Sequence, residues 1–144
     1  TMRMETGYLH WGHDMSPEEN QYQAGLQFTI SYKKNIDFVG KESLLKIKDK
    51  KNNKKFVMLV LQDSKPGEPL LLHDEPIYKD KEIIGRTTSG NYSFNYNKNL
   101  AFGYINIDLP LEDLLEENLF IEVEKKKYPA SIILKPLNNK NIRN

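Results

Sequence analysis

No cysteine occurs in the 144 residues of the chain. Disulfide staples, thiolate metal sites and thiol nucleophiles are therefore excluded, and a reducing compartment is the natural setting. Arginine is scarce as well: it stands only at Arg3, Arg86 and Arg143, and lysine carries the rest of the positive charge. Only arginine offers a rigid bidentate fork, so each of the three is a candidate for a specific role. No apolar run approaches the ~20 residues that a membrane span requires. Trp11, His13 and Asp14 interrupt the place where the apolar centre of a signal peptide would sit. The formal net charge of +1 gives no overall bias toward nucleic acid or membrane. The expectation is a cytoplasmic chain with neither as a partner. With 38% hydrophobic and 28% charged residues, the composition is that of a globular protein. At this length a chain buries roughly 70% of its unfolded surface and needs no covalent staple.

What is present falls into two blocks joined by a lysine-rich stretch. The reading divides the chain into a first domain at 1–50, a second at 51–137, and a disordered polar tail at 138–144. The chain opens on Thr1-Met2 and is already patterned by Arg3, which predicts a fragment of a longer protein. Met2, Met4 and Tyr8 alternate with polar neighbours, as in an extended segment at a sheet edge. Ser16, Pro17, Glu18 and Glu19 read as the cap, first position and acidic first turn of a helix that Gly25 ends. Leu26, Phe28 and Ile30 alternate as a strand reaching Tyr32. Leu44, Leu45 and Ile47 among good helix formers predict a short amphipathic helix over 41–48. The lysines from Lys46 to Lys55 have no arginine or aromatic residue among them, which favours a solvated linker over a nucleic-acid patch.

The second block reads as mostly strands, and the fold class is α+β, mainly β. Residues 56–61 form a continuous apolar run, as in a strand buried on both faces. Residues 65–69 make a turn, and 76–78 and 82–84 flank a hairpin turn at 79–81. A strand at 87–92 ends in a Gly90-Asn91 corner. Another strand follows at 100–107, and 119–123 pairs with 128–134 across Glu124-Lys125-Lys126. Short strands at this spacing predict a small antiparallel barrel or sandwich.

Candidate chemistry concentrates between Arg3 and Asp14. Those dozen residues hold the single tryptophan, two of the three histidines and two carboxylates. On an extended strand Arg3 and Glu5 project to one face, where they either hold a polar ligand by paired hydrogen bonds or pair with each other structurally. His10, His13 and Asp14 do not follow a zinc-site spacing and lack a further ligand. Turn chemistry explains Asp14 better, through bonds to local backbone amides. Ser89 has no nucleophile elbow around it, and the glycines build no phosphate loop. No catalytic set is complete within the chain.

The run Arg3-Met4-Glu5-Thr6-Gly7-Tyr8 with Trp11-Gly12-His13-Asp14 resembles a segment of the glycine-cleavage T-protein (aminomethyltransferase) family. Gln23-Ala24-Gly25-Leu26, Asp37-Phe38-Val39-Gly40-Lys41-Glu42-Ser43-Leu44-Leu45, Gly85-Arg86-Thr87-Thr88-Ser89-Gly90 and Asn99-Leu100-Ala101-Phe102-Gly103-Tyr104-Ile105 continue the resemblance in order. Tryptophan ahead of Gly-His-Asp resembles the dimethylglycine and sarcosine dehydrogenase branch. The resemblance implies the end of a folate-binding domain followed by a closing antiparallel barrel. It also implies tetrahydrofolate as cofactor, with FAD in a domain upstream, and a small methylated amine or aminomethyl donor as substrate. The upstream domains are implied partners, and the family's catalytic aspartate and pterin-holding glutamate lie in them. Arg3, Glu5, Tyr8 and Trp11 are the positions it brings near folate, with no catalytic residue and no metal ligand in this chain. A non-catalytic folate-binding or interaction module, and a folate-dependent demethylase of another methylated substrate, are the alternatives.

Overall fold

The computed structural model describes residues 2–34 and 36–137, so the tail predicted to be disordered lies outside the described residues. Six strands dominate: β1 Lys54–Leu61, β2 Pro76–Lys79, β3 Glu82–Ser93, β4 Lys98–Asn106, β5 Leu119–Val123 and β6 Lys126–Ile133. All pairings are antiparallel and the order β1-β4-β3-β2-β5-β6 closes on itself. The small antiparallel barrel expected from strand spacing is therefore present, and closure leaves no sheet edge exposed.

The apolar run of β1 shows how one strand serves two cores. Side chains alternate faces along a strand, so Val57, Leu59 and Leu61 enter the barrel with Ile77, Ile105 and Ile121. Phe56, Met58 and Val60 point the other way, into an outer cluster with Leu100 and Phe102 that Met4 covers. Met4 belongs to α1 (Met2–Glu5), a single helical turn. The expected extended edge segment is thus a helix, because burying Met4 on the barrel outweighs a short alternating pattern. α2 (Lys41–Lys48) forms where predicted, although none of its residues is buried.

Two other expectations in the first block are corrected. At 26–32 there is a 3-10 turn, Gln27–Thr29, in place of a strand. The Thr29 hydroxyl donates to the Leu26 carbonyl at 2.7 Å and closes it locally, and Phe28 remains exposed. No neighbouring strand among the described residues pairs with this stretch. At 16–25 a local cap is made: the Ser16 amide and hydroxyl donate to Glu19 Oε2 at 2.9 and 2.8 Å, and Ser16 Oγ accepts from the Glu18 amide at 3.1 Å. The helix does not propagate because Asn20 caps a fresh turn, its Oδ1 accepting from the amides of Tyr22 and Gln23 at 3.0 Å.

β3 differs in one detail that matters below. The strand does not turn at Gly90-Asn91 but runs on to Ser93. Gly90 is required because a Cβ there would lie 2.3 Å from the Leu71 Cβ. The register of β3 on β4 slips between Thr87 and Ser89, a bulge centred on Thr88. A bulge breaks the strict alternation of faces, and Thr88 and Ser89 consequently reach the same partner.

Candidate functional site

That partner is Asp14, which is fully buried. Thr88 Oγ1 and Ser89 Oγ each donate to its Oδ1 at 2.6 Å. Arg3 Nη1 and the His10 amide donate to Oδ2 at 2.7 and 2.8 Å. Arg3 Nη2 also donates to Ser89 Oγ at 2.7 Å, and Arg3 Nη1 to the Tyr8 carbonyl at 3.0 Å. The Tyr104 phenol donates to the Asp14 carbonyl at 2.8 Å. Burial pushes this phenol above its ordinary range, and the Glu19 and Asp14 charges add to the effect.

With four donors on two oxygens, the Asp14 carboxylate has its acceptor sites occupied. It is a latch between the loop and β3, not a free base. Ser89 donates to a carboxylate and accepts from a guanidinium, so it lacks the imidazole partner a serine nucleophile needs.

A second buried carboxylate, Glu5 at the end of α1, repeats the design. Glu5 Oε1 accepts from Ser93 Oγ at 2.6 Å and Oε2 from Asn95 Nδ2 at 2.9 Å. Arg3 and Glu5 therefore do not share a face as a strand would present them. Two residues on a helical turn point about 200° apart, and each side chain finds its own partners beside β3. After this turn, Gly7 takes a left-handed φ of 78° where a Cβ would lie 2.6 Å from Pro136 Cγ.

Tyr8 and Trp11 are placed differently. They stand 63% and 62% exposed on the loop that the latch holds. Gly12, at φ 87°, turns the chain so that its amide donates to the Met15 carbonyl at 2.8 Å. Trp11 also lines an open pocket of about 410 Å³ with Met15, Pro17, Glu19, Asn20 and Leu26. Burial works against the Glu19 carboxylate, but hydrogen bonds from Lys54 and Ser16 outweigh it and hold Glu19 below the ordinary range. The Lys54 ammonium reaches Glu19 Oε1 at 2.5 Å, tying this pocket to β1.

Thus the four positions expected beside folate divide into two buried or half-buried anchors, Arg3 and Glu5, and two exposed aromatic rings. Sequence reasoning passed over Asp14 as a long-range partner and missed Ser93 and Asn95 altogether. The signal available was the pair of segments, Arg3 to Asp14 and Gly85 to Gly90, whose polar residues complete each other.

The family model described as "Glycine cleavage T-protein C-terminal barrel domain" matches residues 54–138. Dimethylglycine dehydrogenase, mitochondrial, of Rattus norvegicus is 35% identical over 138 residues, covering 94% of this chain and 15% of that protein. The 4-methylaminobutanoate oxidase (formaldehyde-forming) of Paenarthrobacter nicotinovorans is 32% identical over 136 residues, covering 94% and 16%. An aminomethyltransferase of Synechococcus elongatus is 28% identical, covering 94% and 35%. Among solved structures, the glycine cleavage system aminomethyltransferase T from Bartonella henselae superposes with a TM-score of 0.76 at 22% identity. It covers 94% of this chain and 36% of that one, and at this identity it establishes the fold. The chain spans about a sixth to a third of the length of these relatives.

Proposed function

From a chain that belongs to the family of the glycine cleavage T-protein C-terminal barrel domain, we propose the carboxy-terminal portion of a tetrahydrofolate-dependent aminomethyltransferase. The parent protein transfers a one-carbon unit from a small amine donor to folate in the cytoplasm. Residues 1–50 are the tail of its folate-binding domain and residues 51–137 the closing barrel. The dimethylglycine dehydrogenase among the relatives supports a parent with an FAD-binding domain upstream. This chain alone does not turn over, because the reacting groups belong to the remainder of the protein.

The observation that carries the reading is the latch. A fully buried Asp14, held by Arg3, Thr88 and Ser89, fixes a loop on which two large aromatic rings stay exposed. Exposed aromatics on a rigid support fit a flat, partly apolar ligand such as a pterin and aminobenzoyl group. Bound folate supplies the nitrogens that accept the one-carbon unit. Tyr8 and Trp11 give it ring faces and exclude water on one side. Arg3, whose guanidinium also donates to the Tyr8 carbonyl, and Glu5 fix the turn from which Tyr8 departs. Most of the catalytic gain on this side of the cavity is orientation.

The test uses the intact protein. Trp11→Ala and Tyr8→Ala are expected to raise KM for tetrahydrofolate roughly tenfold, equivalent to losing about 1.4 kcal/mol of contact. Because both rings are already exposed, the melting temperature stays nearly unchanged. An unaltered KM in both variants removes this loop from the folate site.

A further inference from the structure

All three histidines of the chain line one open pocket of about 210 Å³, together with Arg3, Thr88 and Asn91. This pocket shares no lining residue with the one beside Trp11. We propose that it binds a small anion through carboxylate or phosphate oxygens, and that binding strengthens as pH falls.

The convergence is not a consequence of proximity in sequence. His10 and His13 come from the latched loop, His73 from the β1–β2 connection, and Thr88 and Asn91 from β3. The rings of His10 and His13 lie parallel, with centroids 4.7 Å apart and planes 13° apart. Among the described residues the lining contains no carboxylate. Three carboxylates stand near it, each already hydrogen-bonded, Asp14 and Asp74 in part to lining residues themselves. Asp14 has both oxygens occupied. Asp74 Oδ1 accepts from Arg86 Nη1 at 2.8 Å, and Oδ2 lies 2.8 Å from His73 Nδ1. Glu75 accepts from the Leu72 amide and the Thr87 hydroxyl. The lining is thus rich in donors, and the acids around it are already partnered. That balance favours an anion over a hard cation, since every carboxylate oxygen nearby already accepts a hydrogen bond.

The same contacts set the direction of the pH response. An ionised Asp74 can only accept, which assigns the proton of this contact to His73 Nδ1 and leaves Nε2 as the nitrogen that a further proton would occupy. When His10 and His13 are both charged, their stacked rings repel each other, and an anion at the pocket relieves that repulsion. Arg3 supplies a charge at every pH, although it is shared with Asp14. Arg86 stands one step further out, behind Asp74. Anion binding and imidazole protonation therefore assist each other, and by linkage each strengthens the other by the same factor.

Having only three histidines, the 144-residue chain is suited to side-chain NMR with labelled histidine. Inorganic phosphate and glutarate are titrated separately at about pH 6 and about pH 8, with sodium chloride matching ionic strength. The expected result is saturable shifts of all three histidines with one shared midpoint. That midpoint weakens at the higher pH, where fewer imidazolium donors face the anion. Saturation by phosphate alone assigns a phosphoryl ligand, by glutarate alone a carboxylate ligand, and either supports the site. His73→Gln and His13→Gln are each expected to weaken the midpoint while amide dispersion reports an intact fold, so one variant suffices if the other does not fold. Shifts that chloride reproduces, that involve a single histidine, or that keep one midpoint at both pH values overturn the proposal.

Discussion

Removal of the Asp14 carboxylate is the sharpest test of the latch. Asp14→Ala deletes the shared acceptor of Arg3, the His10 amide, Thr88 and Ser89. Breaking a fully buried ion pair costs 3–5 kcal/mol when the stranded charge stays buried. Here the stranded partner is the Arg3 side chain, 35% exposed, which recovers part of its hydration. The buried Ser89 hydroxyl does not, and each hydrogen bond to a charged group contributes about 1.5–3 kcal/mol before such relaxation. Together these place the loss at about 3 kcal/mol, a large share of a typical folding free energy. Urea denaturation of the chain should show a lower midpoint with an unchanged slope. Melting should fall by roughly 10 °C. Asp14→Asn is expected to cost less than Asp14→Ala but still to destabilise. Its oxygen can keep Arg3 and the His10 amide and its nitrogen can donate to the two hydroxyls, while the charge that pairs with Arg3 is lost. Combined with Arg3→Ala in a double-mutant cycle, the coupling should reach about 1–2 kcal/mol. A loss below about 1 kcal/mol, or an asparagine variant as stable as the parent, would refute the view that this carboxylate holds the loop to β3.

Gly85→Ala is expected to destabilise the barrel by about 3 kcal/mol or more, since overpacking here cannot be relieved by a rotamer change. The new Cβ would lie 1.9 Å from the Tyr104 carbonyl oxygen on β4. Gly12→Ala meets nothing within 4 Å, so it should cost only about 1 kcal/mol for its left-handed φ, and comparable urea midpoints for the two variants would contradict the close approach of β3 and β4. The lowered Glu19 value predicts a pH dependence. A carboxylate held below its unfolded value of 4.5 stabilises the fold above that value, and the contribution disappears as pH falls through the folded value. The stability gap between the parent and Glu19→Gln should therefore be full near neutrality and should shrink as pH falls below about 4.5. A gap that stays constant down to acid pH would show that Glu19 acts through packing alone.

The barrel was legible from sequence because its signals are local and mutually consistent. Alternating or continuous apolar runs, bounded by Lys65-Pro66-Gly67 and by the turns at 79–81 and 124–126, place most strands correctly. The first block was less legible because its order depends on the second. Residues 2–5 alternate like a strand, yet Met4 fits a hydrophobic hollow built by Val60, Leu100 and Phe102. Nothing within four residues announces that hollow. Likewise Leu26, Phe28 and Ile30 carry a strand pattern but have no neighbouring strand to complete it among the described residues. Alternation marks a strand only where backbone donors and acceptors find partners.

The same dependence explains the uneven reading of the site. Tyr8 and Trp11 were named beside folate by the resemblance alone, and the structure adds only that both rings are exposed. Arg3 and Glu5 belong to the segment for an additional reason that appears only across 74 to 90 residues of separation. Asp14 reaches Thr88 and Ser89, and Glu5 reaches Ser93 and Asn95. A bulge at Thr88 makes the first of these possible, and no residue pattern in β3 declares a bulge. The two carboxylates are thus spaced to grip one strand at two points, so the loop between Tyr8 and His13 cannot slide or rotate against the barrel. Its exposed rings then have a fixed position relative to β3, which a flexible loop could not provide. If ligand affinity depends on that fixed position, loosening either grip should weaken folate binding in the intact protein without touching Tyr8 or Trp11. Ser93→Ala, which removes one hydrogen bond to Glu5 and is softer than Asp14→Ala, is the variant that separates the two effects. A raised KM for tetrahydrofolate in that variant, with kcat at saturation preserved, would locate the role of Glu5 in positioning. An unchanged KM would leave Glu5 a contributor to stability alone.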